Sequence, residues 1–175
     1  MEGELISKGA ELPKVGGGCH AQGMKRMIWL YTVLGAVLVC GLAAFAQERG
    51  IWRAMSNTAM SITGDVVFSP DKITMNFTSY TIARIRDLKT EEVQAVFDPE
   101  QTGGSGSLYR LNVPAAKRFL HKNTLCGAED TEWMATYVAG KSLQIAFFSG
   151  MKPPALTIDA INSATNLCGT FSYER

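Results

Sequence analysis

The sequence predicts an all-β domain: a small antiparallel barrel or sandwich of six to eight strands with one or two short helices, behind an N-terminal signal segment. Three observations carry this. Apolar and polar residues alternate in several short runs, the period of a half-buried strand. Gly, Pro, Asn and Asp separate those runs at fairly even intervals, which suits a sandwich or barrel better than a βαβ sheet. An apolar leader places the two remaining cysteines in an oxidising compartment.

The leader is Met24 to Ala46. Lys25 and Arg26 start it, Met27 to Leu42 is almost unbroken apolar chain, and Ala44-Phe45-Ala46 offers the small residues that a signal peptidase reads. Residues 1–23 are polar and Gly-rich without a period, so they are expected to be a non-native extension before a true start at Met24, or a disordered leader. Residues 24–46 are then a signal peptide, or a signal anchor if uncleaved, because Met27 to Ala46 holds only Thr32 as a clearly polar residue and is long enough to span a bilayer. Val39 before Cys40 disfavours a lipoprotein site. Residues 47–175 form the exported domain under either reading. The expected location is the bacterial periplasm or the exterior; the alternative is an inner-membrane anchor with the domain outside the cytoplasm.

The exported part has 129 residues and is one domain in size. The first 46 residues hold four of the seventeen basic and three of the sixteen acidic residues, which leaves thirteen of each. That balance argues against a nucleic-acid binder. A membrane partner is expected only through residues 27–46, if they are retained.

The elements follow in order. Gln47 to Thr58 is a polar lead-in anchored by Trp52. Ser61 to Phe68 reads as a strand through Ile62, Val66 and Phe68, with Gly64 marking a bulge or a close backbone approach. Ser69-Pro70-Asp71-Lys72 is a turn. Ile73, Met75 and Phe77 share a face, and the slip to Tyr80 and Ile82 implies a bulge or break near Thr78-Ser79. Arg84 to Glu92 is charged, and Val93 to Phe97 is a short strand candidate. Asp98 to Ser107 is a loop, acidic and Gly/Ser-rich. Leu108 to Val113 is a strand with Tyr109, Leu111 and Val113 inward. Pro114 opens a helical piece over Ala115 to Lys122. Trp133 to Ala139, Gly140-Lys141 and Ser142 to Ser149 form a hairpin with Leu143, Ile145 and Phe147 facing the core. Ala155 to Asn166 carries a short helix from Asp159, and Thr170 to Tyr173 closes the chain as a strand with Phe171 and Tyr173 on one face.

Cys19 and Cys40 precede the domain, so Cys126 and Cys168 are the exported pair and are expected to form a disulfide. It would close a loop of 42 residues, worth about 4 kcal/mol in the chain-entropy model. The repeated Leu-Cys-Gly triplets suggest two neighbouring strand starts.

Chemistry is sparse. No metal site is expected, since His121 is the one His of the exported part and no Cys-x-x-Cys spacing occurs. No cofactor and no catalytic residue is assigned. The Gly103-Gly104-Ser105-Gly106-Ser107 run fails the nucleophile-elbow pattern at Ser107 and reads as flexible loop. Asp65, Asp98, Glu100, Glu129, Asp130, Glu132 and Asp159 are the carboxylates from which an acid–base pair would be drawn, mostly in turn-like segments. Trp133, Tyr137 and Tyr109 are a binding platform or, more simply, core. Asn76-Phe77-Thr78 fits a glycosylation acceptor, which is irrelevant in a bacterial host. Lys117, Arg118, His121 and Lys122 remain as a small cationic patch for a phosphate, a lipid head group or glycan carboxylates; the simpler reading is a solvated amphipathic turn with Phe119 and Leu120 inward.

Ser61-Ile62-Thr63-Gly64-Asp65, Asn123-Thr124-Leu125-Cys126-Gly127 and Leu167-Cys168-Gly169-Thr170-Phe171-Ser172-Tyr173 together resemble small exported proteobacterial proteins of unknown function. The resemblance covers about Ala59 to Tyr173. It implies a periplasmic setting and carries over no catalytic residue. Small periplasmic lysozyme inhibitors share only the design of a short disulfide-bearing barrel. The expected role is a non-enzymatic β domain that binds an envelope component or a protein partner; the alternative is a small envelope hydrolase using a carboxylate pair, with carboxylates on the loop Asp98 to Ser107.

Overall fold

The computed structural model describes residues 48–97 and 103–175. The extension, the signal segment with its candidate span, Cys19, Cys40, the Gln47 start, Asp98 and Glu100 lie outside the described residues.

Nine antiparallel strands build the domain: β1 Gly50–Ala54, β2 Val66–Phe68, β3 Lys72–Met75, β4 Thr78–Thr81, β5 Ala83–Asp87, β6 Ser105–Val113, β7 Thr131–Ala139, β8 Ser142–Ser149 and β9 Leu167–Glu174. Over the described residues the fold is all-β, as the alternation predicts, with nine strands against the six to eight read from the sequence. The strand order is β4-β3-β2-β1-β9-β8-β7-β6-β5. Every strand therefore pairs with its neighbour in sequence except β4 with β5, and β9 returns to β1. The sheet is not closed by hydrogen bonds. Its two edge strands are nonetheless joined by the single residue Ile82, so the chain itself carries one edge round to the other. β1 is a second corner: Gly50 to Trp52 pair with β2, while Arg53 and Ala54 pair with β9. Strands that switch partners in this way turn the corners of orthogonally packed sheets.

One core fills the coiled sheet. Trp52, Val66, Phe68, Ile73, Met75, Leu143, Ile145, Phe147, Phe171 and Tyr173 are buried together, with Tyr109, Leu111 and Val113 of β6. A second core lies outside β6 to β8, where α2 (Thr90–Phe97), α3 (Ile158–Asn162) and Leu156 cover Leu108, Trp133, Ala135, Ala146 and Phe148. Ala135 and Ala146 are cross-strand partners, and their small side chains let the cover sit close.

The hairpin is as read: Ala139 pairs with Ser142 across Gly140-Lys141, and Gly140 holds φ 58, where glycine is favoured. Four expectations are corrected. Ser61 to Phe68 is not one strand. Ser56 caps α1 (Asn57–Ile62) by accepting from the Ala59 N–H at 3.1 Å, and Gly64 at φ 62 terminates it. The close approach at Gly64 is real, since a Cβ there would stand 3.2 Å from Leu120 Cδ1. Val93 to Phe97 is helix rather than strand, because Val93 and Val96, three apart, face the sheet. The phase slip after Met75 is a break rather than a bulge, and it lies two residues earlier than Thr78-Ser79: a tight turn at Asn76-Phe77 links the paired Met75 and Thr78.

The fourth concerns Asp98 to Ser107. β6 begins at Ser105, so the end of the expected loop is strand. Glycine is required there by packing: a Cβ on Gly106 would meet Val93 Cγ2 at 2.9 Å, and one on Gly104 the Val138 carbonyl oxygen at 2.4 Å.

Candidate functional site

The two ends of the coiled sheet differ chemically. At one end Glu48 enters the interior. Its carboxylate accepts from the Tyr109 hydroxyl and, at 2.6 Å, from Thr136 Oγ1, while Trp52 Nε1 donates to its carbonyl at 2.8 Å. Burial, then the neighbouring Glu48 carboxylate, pushes the Tyr109 hydroxyl well above the usual tyrosine range. Arg84 reaches Ser107 Oγ at 3.3 Å and pairs with Asp87. Glu48, Arg84, Tyr109 and Ser69 line a cavity of about 40 Å³, room for roughly one water and far below the size of a small-molecule site. Among the described residues no second carboxylate lines it. Two hydroxyl donors satisfy the buried carboxylate, so the cluster fastens the segment before β1 into the coiled sheet. Sequence reasoning missed Glu48 because nothing distinguishes it within a polar lead-in; its partners lie 61 and 88 residues away.

The opposite end carries α1, the β3–β4 turn and the segment of the expected cationic patch. Ala115 to Lys122 is not an α-helix. Phe119 is extended, and the one helical turn is a 3₁₀ turn, Leu120–Lys122, with His121 at φ 52. Eight residues nucleate a helix poorly, and burial of Phe119 beside Tyr80 in the core decides the path instead. The four basic residues therefore face different neighbours. Lys117 Nζ donates to Thr78 Oγ1 at 2.8 Å. Arg118 donates to the Ala115 carbonyl at 2.9 Å. His121 lines an open groove of about 510 Å³ with Asn57, Thr58, Met60 and Ser61 of α1. Lys122 is exposed. Lys117 is half-buried rather than solvated, and so is Leu120. Among the described residues none of the four is in an ion pair. The end is held together by Asn123 Nδ2 donating to the Ser61 carbonyl at 2.9 Å and by the Asn76 N–H donating to the Thr63 carbonyl at 3.1 Å.

Cys126 and Cys168 are joined by a disulfide with a Cα separation of 4.8 Å. Cys168 lies in β9, as expected of a strand start. Cys126 instead sits in the turn before β7, where Thr131 Oγ1 donates to its sulfur at 3.0 Å.

Among the described residues the candidate carboxylates do not assemble a pair. Asp65 accepts from the Ala54 N–H at 2.9 Å, Asp130 from the Ala115 N–H at 2.8 Å, and Glu132 pairs with Arg110 at 2.8 Å. Glu129 and Asp159 are exposed in a turn and in the first turn of α3. Trp133, Tyr137 and Tyr109 are buried, with Tyr109 in the inner core and Trp133 in the outer one, so they make no common platform. Among the described residues no group of three His, Cys, Asp or Glu side chains stands ready to hold a metal, and no helix is long and apolar enough to cross a membrane. Comparison with protein-family models, curated proteins and solved structures finds no match to this chain.

Proposed function

We propose that this chain is an exported, disulfide-stabilised β domain of the bacterial envelope that binds rather than catalyses, and that it holds anionic groups of an envelope component at the α1 end of the barrel. The observation that carries the reading is the cationic segment: Lys117, Arg118, His121 and Lys122 lie within six residues, none in an ion pair among the described residues, beside an open groove that His121 lines. Unneutralised cations raise the local concentration of anions. Periplasmic or secreted placement is supported by the apolar leader of the sequence and by the disulfide.

A titration of the exported protein with soluble polyphosphate, followed by intrinsic tryptophan emission, tests this. The parent protein should bind in a salt-sensitive way, and the Lys117→Gln, Arg118→Gln, Lys122→Gln triple variant at least tenfold more weakly, with an unchanged melting temperature. Equal binding by the folded triple variant refutes the assignment.

A further inference from the structure

Phe77 is completely exposed, at 100%. It occupies the tip of the β3–β4 hairpin in a two-residue turn with Asn76 at φ 44 and Phe77 at φ 61. Asn tolerates that backbone, whereas the second position ordinarily takes Gly. A bulky aromatic there meets a local conformational cost and recovers nothing by packing within the chain. The finger is nevertheless fixed. The Asn76 N–H bonds the Thr63 carbonyl at 3.1 Å on one side, and Lys117 Nζ bonds Thr78 Oγ1 at 2.8 Å on the other. Met60, half-exposed on α1, is a second apolar side chain at the same end, in the groove that His121 lines.

From this arrangement we infer that the α1 end of the barrel docks on an anionic lipid surface, with Phe77 inserted at the headgroup–acyl boundary. The inference rests on the proposed anion-binding role of this end and names its occupant. An interfacial site has this composition: an aromatic that leaves water, with cations beside it at the level of the phosphates. Lys117 is bonded to the residue next to Phe77, which sets an ammonium group beside the prong. The acidic residues of the region are Asp65, Glu129 and Asp130, of which Asp65 accepts the Ala54 N–H and Asp130 the Ala115 N–H, while Lys117 alone among the described charged side chains is bonded to the hairpin that carries Phe77. A lipid surface accepts a single protruding ring without a matching pocket. A protein partner would more often be met by a contiguous apolar patch, and this end presents one full prong and two half-exposed methionines, Met60 on α1 and Met55 just before its cap.

The test places a reporter at the tip of the full exported protein. Phe77→Trp is titrated with vesicles of phosphatidylglycerol and phosphatidylcholine, with and without bromine on the acyl chains, against the parent protein and against Phe77→Ser. Docking requires brominated anionic vesicles to quench a component of Phe77→Trp emission that the parent lacks. It also requires Phe77→Ser to bind anionic vesicles at least tenfold more weakly, and the quenching to vanish in vesicles of phosphatidylcholine alone. Comparing variants within the same chain removes any contribution of the apolar leader. If residue 77 shows no lipid quenching while polyphosphate still binds in a Lys117- and Lys122-dependent way, the lipid inference fails and the anion-binding role stands. If polyphosphate does not bind either, both fall. Phe77-dependent binding to a protein, with no quenching by lipid, overturns the inference in favour of a protein partner.

Discussion

The half of the sheet formed by β6 to β9 and the half formed by β1 to β4 solve the same problem differently. β7 and β8 are buried on both faces, with Met134, Leu143, Ile145 and Phe147 inside and Trp133, Ala135, Ala146 and Phe148 beneath the helices. β2 to β4 bury one face only. Their outer face is water-exposed, with Ile51 of β1 opposite Val67 of β2 and Thr74 Oγ1 2.8 Å from Ser79 Oγ. Covering a sheet on both sides converts alternation into a continuous apolar run, as Ile145-Ala146-Phe147-Phe148 of β8 shows. The uncovered half keeps short strands, and its hairpin tip is left free to present Phe77.

If the outer core of the covered half contributes as fully as the inner one, Phe148→Ala should cost about 3–5 kcal/mol in urea unfolding, as should Phe147→Ala. A loss at Phe148 no larger than at an exposed site would reduce the helical cover to decoration. Next in size is the disulfide, which fastens the turn before β7 to the start of β9. Cys168→Ala should lose about 2–5 kcal/mol and leave a reactive thiol on Cys126. Non-reducing peptide mapping of the parent checks the pairing, and two free thiols would contradict it.

A smaller effect is expected at high pH. Burial pushes the Tyr109 and Tyr173 hydroxyls above the usual tyrosine value, with the Glu48 carboxylate adding to the shift at Tyr109. The folded state therefore keeps protons that the unfolded chain releases near pH 10. This contribution is fully present below about pH 10 and is lost as pH rises through the raised folded values. Tyr109→Phe should flatten the alkaline fall in melting temperature; an unaltered profile would mean that the hydroxyl is not buried against Glu48. The smallest effect belongs to the uncovered face. Ile51→Thr and Val67→Thr should each stay within about 0.5 kcal/mol, and a larger loss by thermal melting would reveal a cover over β1 and β2.

The same contrast explains what was legible. β6, the β7–β8 hairpin, β9, the inner-facing sets Tyr109/Leu111/Val113 and Leu143/Ile145/Phe147, and the Cys126–Cys168 pair were readable from the chain alone. Long strands carry a strong pattern, Gly140 marks their turn, and two cysteines in a domain have one partner each. α1 and α2 were misread because six or eight residues hold too few repeats to separate a helical period from a β one, so their packing against the sheet decides. Phe77 looked like an inward strand residue, since alternation with Ile73 and Met75 continues through it; only the turn at Asn76 shows that the strand has ended.

By itself, then, the order of residues determined the all-β class, the strands of the covered half and the disulfide, because each rests on local periodicity or on a count. The tertiary structure alone decided that β9 returns to β1, that Ile82 carries one sheet edge to the other, that Glu48 is seated by Tyr109 and Thr136, and that Phe77 is bare. Those features depend on contacts between residues far apart in the chain, whose free energy comes from burial and hydrogen bonding at positions that no local pattern specifies.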